Sequence, residues 1–98
     1  MKLTVNYSQM ERSEHLEDFI RKEMEHTCTK IDRNRSQEFD VYLKCENSKV
    51  HSGTPSYQVT VELTGQGHPY VVKKHSDDIY AGIKEARHAL ETQIRRHH

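Results

Sequence analysis

The last twenty-one residues, from Asp78 to His98, restrict the fold more than any other stretch. Apolar side chains fall at Ile79, Ile83, Ala86, Leu90 and Ile94, at spacings of four, three, four and four. That is a single stripe of an amphipathic helix. A helix with one apolar stripe must lie against another apolar surface. Its other face carries Lys84, Arg87, His88, Arg95 and Arg96, and it closes on Arg95-Arg96-His97-His98. Cations turned outward from a docked helix are a candidate surface for nucleic acid. Cations in a last turn also suit the negative end of the helix dipole.

The surface that such a helix needs is legible upstream. Leu3, Val5 and Tyr7 alternate with polar residues and read as a first strand. Phe39, Val41, Leu43 and Cys45 form a second such pattern, and Tyr57, Val59, Val61 and Leu63 a third. Tyr70 to Lys74 is a short fourth strand with Tyr70 and Val72 inward. Between the first two strands, Ser13 is a plausible N-cap and Glu14 a favourable first-turn charge. Leu16, Phe19, Ile20, Met24, Cys28 and Ile31 then line one side of a helix that runs to about residue 31. Asp32 to Ser36 is a polar connector, residues 46 to 55 with Gly53 and Pro55 break the sheet, and Gly65 to Pro69 is a turn. Ser76 or Asp77 is expected to cap the final helix.

Strands with one apolar face need cover on that face only, and two one-stripe helices supply it. The expected fold is α+β, in the order β-α-β-β-β-α, with a four-stranded sheet and both helices on one side. This architecture resembles double-stranded-RNA-binding domains, though a shared fold does not establish a shared function. Ninety-eight residues make one domain with a modest core. A charged fraction of 31% against a hydrophobic fraction of 33% leaves one broad face wet. No apolar run approaches the ~20 residues of a membrane helix, and no start resembles a secretory signal. Cys28 and Cys45 fall on apolar faces and read as free thiols in a reducing, cytoplasmic setting.

Charge distribution says more than net charge. Lys+Arg and Asp+Glu balance at 15 each. Residues 84 to 98 hold four basic and two acidic groups, so the cations gather at the end. Arg21 and Lys22 lie off the apolar stripe of the first helix, and Lys30 is near its end. With Lys84, Arg87, Arg95 and Arg96 on the second helix, they would border one groove if the helices lie side by side. Guanidinium and ammonium groups in a groove track phosphates. Against this, the first helix has three basic and five acidic residues between Glu14 and Ile31, which suits an ordinary solvated face.

Catalysis and metal binding have little support. Ser, His and acidic residues are plentiful, but no nucleophile elbow, phosphate loop or catalytic spacing is present. Gly65 and Gly67 lead from strand to strand, which is a hairpin and not a dinucleotide fingerprint. Eight histidines include no His pair at i, i+4 with a carboxylate, and neither cysteine is in a Cys-x-x-Cys motif. Tyr42 and Tyr57 could stack on bases, but tyrosines on a half-buried sheet more often pack. No cofactor, metal or small-molecule substrate is expected. The histidines do bear on binding. A free imidazole titrates near ~6.5, so protonation of His26, His88, His97 and His98 would add charge around the groove on mild acidification.

The order Asp78-Ile79-Tyr80-Ala81-Gly82-Ile83, then Leu90-Glu91, then Gln93-Ile94-Arg95-Arg96-His97, resembles the closing helix of the ribosome hibernation-promoting factors. These are the small ribosome-associated inhibitors, also called sigma-54 modulation proteins. Their usual pattern is an acid, an apolar residue and Tyr-Ala-Ala-Ile, later Leu-Glu-x-Gln-Leu and a basic cluster. The order of elements in the rest of the chain fits the family's short form. The resemblance implies a non-enzymatic translation inhibitor of starved or stationary cells. It would occupy the decoding region of the small ribosomal subunit, contact ribosomal RNA through its basic helix faces, and be a monomer off the ribosome. Carried over by position, the contacts are Arg95, Arg96 and His97, with Arg87 by a looser match. The full expected RNA-binding set is Arg21, Lys22, Lys30, Lys84, Arg87, His88, Arg95, Arg96 and His97. Residues 1–98 would be a single domain without the dimerisation domain of the long forms. The family usually has lysines where this chain has Glu23 and His26, alanine at Gly82, and an acid at Lys84. The alternative is a diverged member without ribosome affinity that acts as a protein-binding module.

Overall fold

The computed structural model describes residues 1–46 and 55–97. The expected break with Gly53 and the terminal His98 therefore lie outside the described residues, apart from Glu46 and Pro55. The elements are β1 (Lys2–Ser8), α1 (Glu14–Cys28), β2 (Glu38–Cys45), β3 (Tyr57–Thr64), β4 (Tyr70–Ser76) and α2 (Ile79–His97). The order is the expected β-α-β-β-β-α. The strands lie side by side in chain order, with β1 parallel to β2 and the other pairs antiparallel.

Alternation decides which face is covered. Phe39, Val41, Leu43 and Cys45 on β2 are buried, as are Val59, Val61 and Leu63 on β3 and Tyr70 and Val72 on β4. Leu3, Val5 and Tyr7 on the edge strand β1 are half-buried and border that core. α2 lies over β3 and β4. All five residues of its predicted stripe are buried, and Gly82 with them. At Gly82 an added Cβ would come within 3.2 Å of both Ser76 Cβ and Val59 Cγ2, so the helix sits close on the sheet. No helix of the described residues is long and apolar enough to cross a membrane.

The helices differ from the sequence expectation in three respects, two of them at helix ends. Ser13 caps α1 as expected, its Oγ accepting from the Leu16 N–H at 3.2 Å. The helix stops at Cys28, short of residue 31. Thr29 and Lys30 donate back three residues, to the His26 and Thr27 carbonyls, a tightened turn that ends the α-geometry. The cap of α2 is Asp78, neither Ser76 nor Asp77. Its Oδ1 accepts from the Tyr80 and Ala81 N–H groups at 2.9 and 3.3 Å, while Ser76 Oγ accepts from the Asp78 N–H. The third difference is the stripe of α1. Its buried members are Leu16, Ile20, Met24 and Thr27, with Phe19 and Cys28 only half-buried. Thr27 tolerates full burial because its hydroxyl donates to Glu91 Oε2 at 2.9 Å.

Candidate nucleic-acid interface

The two helices run parallel. Glu23 meets Arg87 and Thr27 meets Glu91, and Phe19 stacks edge-on against Tyr80 with ring centroids 4.9 Å apart. Residues 64 apart in sequence thus face each other, and the C-terminal ends of both helices come to the same end of the molecule. Two negative dipole ends converge there, a favourable place for cations.

Lys30, just past α1, and Arg95, in the last turn of α2, line one small recess at that end. Arg96 and His97 follow Arg95 and are exposed. Lys84 is exposed one side further along, with Nζ 6.0 Å above the Phe19 ring. Lys22 is exposed on α1. Arg21 is exposed too, but it shares a shallow recess with Arg12, Glu14, Glu17 and Asp18, where acids outnumber bases and Glu17 is already paired with Arg12. The expected single groove is therefore not a continuous row of cations.

Its centre is occupied by Arg87, and the outward placement expected for this residue does not hold. The Arg87 side chain keeps only 12% of its exposure. Its Nε–H donates to Glu23 Oε1 at 2.9 Å, and its Nη1 to Glu91 Oε2 and Oε1 at 3.1 and 3.3 Å. Burial alone would lower the arginine's proton affinity, but Glu23 and Glu91 outweigh it and raise it. Burial likewise works to raise the Glu91 carboxyl, and the hydrogen bonds from Thr27 and Arg87, with His26 Nδ1 alongside, overcome it and hold it below its ordinary value. One guanidinium between two carboxylates leaves little attraction for phosphate. Glu23 is thus matched by a partner on the other helix.

Two of the expected histidines rest on the same guanidinium. Arg87 Nη1 lies 2.9 Å from His26 Nδ1, and Nη2 lies 3.0 Å from His88 Nε2. Each ring nitrogen accepts there only while unprotonated. Glu91 Oε2 lies 3.3 Å from the same His26 nitrogen, so a protonated His26 has a carboxylate to turn to.

His97 has partners that the sequence did not suggest. Its ring stacks on His68 at 3.9 Å and 17°, and Tyr70 meets it edge-on at 5.8 Å. His68 stood out only as a turn residue, and twenty-nine positions separate it from His97. The Arg87–Glu91 pair did carry a signal, the i, i+4 spacing of opposite charges on one helix face. No group of three or more potential metal ligands occurs among the described residues. On the other face of the sheet, exposed Tyr42 stands beside Glu62 and Asp40, which raise its phenol. A face that mixes those acids with Lys2, Lys44 and Lys73 is a poorer track for phosphate than the shared helix end.

A family model described as Sigma 54 modulation protein / S30EA ribosomal protein matches residues 3–98. The crystal structure of the Thermus thermophilus Protein Y N-terminal domain is similar over 100% of both chains, with a TM-score of 0.82 and 19% identity. A ribosomal subunit interface protein from Coxiella burnetii is similar over 99% of this chain and 97% of its own, with a TM-score of 0.78 and 17% identity. At these identities the two structures bear on the fold alone. No curated protein matches by sequence.

Proposed function

The chain belongs to the Sigma 54 modulation protein / S30EA ribosomal protein family, and from that membership we propose that it is a ribosome-binding, non-enzymatic regulator of translation. The match over nearly the whole chain is the observation that carries this reading. In the finer form of the proposal, the protein occupies the decoding region of the small subunit. It thereby inhibits translation in starved or stationary cells, in the cytoplasm. Lys30, Arg95 and Arg96 at the shared helix end contact ribosomal RNA phosphates, with Lys84 and Lys22 extending the contact along the helix pair. Arg87 organises the surface and does not itself neutralise a phosphate.

A second reading is a protein-binding module, favoured by the neutralised centre of the helix face and the acids around Arg21. Salt separates the two. Cosedimentation with purified small subunits should weaken steeply as salt rises, with a log–log slope of roughly −3 if about four phosphates are neutralised. A shallow slope would point to a packed protein interface, and absence of cosedimentation at low salt would sink the ribosomal reading.

A further inference from the structure

A cleft of about 400 Å³ opens at the end of the molecule, between the β3–β4 turn, the connector before β2 and the last turn of α2. That is within the ~300–1,000 Å³ of small-molecule sites. One wall is the stacked pair His68 and His97, with Tyr70 edge-on to His68 at 4.9 Å. Arg35, seated on Gly67, also lines the cleft. A Cβ at position 67 would fall 2.5 Å from Arg35 Nη1, and the residue's φ of +83° also favours glycine. The turn is clamped to the connector by the Gln66 amide, which donates to the Ser36 carbonyl at 2.6 Å.

A second recess shares the histidine pair. It measures about 270 Å³, includes His68, Tyr70 and His97 and is bordered by Arg96. The two imidazoles cover one face of each other, so each keeps one outer face, and the two recesses beside them carry Arg35 and Arg96. Planar π-faces accept any base by stacking, and cations at the rim accept its phosphate. Asp32, inside the larger cleft and paired with Arg35 at 3.6 Å, disfavours a phosphate there. The base belongs inward and the phosphate outward.

We propose that this cleft holds a single unpaired nucleotide of RNA, its base stacked on an outer face of the His68–His97 pair and its phosphate in the adjoining recess, against Arg96. This deepens the ribosomal reading by adding base stacking to the phosphate contacts of the helix face. The test needs no ribosome. The full chain, labelled for NMR, is titrated with GMP and, separately, with ribose 5-phosphate at constant ionic strength. GMP should move the ring signals of His68, His97 and Tyr70 by ring-current shifts, and ribose 5-phosphate should not. The double variant His68→Ala/His97→Ala should weaken GMP binding by ~10-fold or more. Both side chains are exposed, so its amide spectrum should keep the folded dispersion. Equal shifts from both ligands, no shifts from either, or unchanged GMP binding in the variant would overturn the proposal. Cosedimentation of wild type is run beside it. Protein that sediments with small subunits yet ignores GMP defeats the nucleotide cleft alone. Protein that takes GMP yet never sediments supports the cleft and defeats the ribosomal reading.

Discussion

Arg87 on α2 donates its Nε–H to Glu23 on α1 at 2.9 Å, with both side chains largely buried between the helices. Glu91 completes the bridge from the arginine's own helix, four residues on. Replacing Arg87 by Ala leaves two carboxylates half-desolvated without their cation. The expected loss is about 3 kcal/mol, in the range for breaking a buried pair. A double-mutant cycle with Glu23→Ala in urea denaturation should return a coupling of about 1–2 kcal/mol. A coupling near zero would show that the pair does not hold the helices together.

Arg95 and Arg96 are exposed at the shared helix end. Changing both to Glu reverses the field where RNA is proposed to lie. Small-subunit cosedimentation should disappear while the circular dichroism spectrum and thermal midpoint stay close to wild type. Retained cosedimentation would move the RNA contact elsewhere on the surface.

Leu90 and Phe19 look equivalent as stripe residues, but the fold separates them. Leu90 is fully buried, while Phe19 is half-buried against Tyr80 and beneath Lys84. Leu90→Asp places an unpartnered charge in the core and should unfold the chain. Phe19→Asp loses packing at a boundary where its carboxylate reaches water, and should cost about 1–2 kcal/mol. Thermal melts decide it, and equal effects at the two sites would contradict this picture of α1.

The Glu91 carboxyl is held below its ordinary value in the folded chain. A depressed folded value means that the unfolded chain binds the proton first. The stabilisation is therefore complete above the ordinary carboxylate range, and is lost as pH falls through that range and then through the lower folded value. In urea titrations from pH 7 downward, wild type should lose stability over this window. Glu91→Gln should start less stable and show a shallower fall. Parallel curves would assign the acid sensitivity to other groups.

Much of the fold was legible in the chain because alternation and the 3.6-residue period each mark a buried face without reference to distant residues. Val59, Val61 and Leu63 could face only one way once paired, and Ile83, Ala86 and Leu90 had to meet them. Helix ends were less legible. Asp78, Asp77 and Ser76 are all good capping residues, and only the backbone path into α2 selects Asp78. Thr27 is absent from the predicted stripe, because the partner that lets it be buried, Glu91, lies in another element.

The sequence by itself determined the element order, the covered face of the sheet and the gathering of cations at the chain's end, since each depends on local period or composition. The tertiary structure alone decided which cations remain available. Parallel packing of α1 and α2 sets Glu23 against Arg87 and removes that charge from the surface, while Lys30 and Arg95 come together at one end. It also lays His97 on His68, a contact between a turn and a distant helix end. Ion pairing and stacking depend on separations of a few ångströms between residues tens of positions apart, and nothing in a local pattern carries that distance.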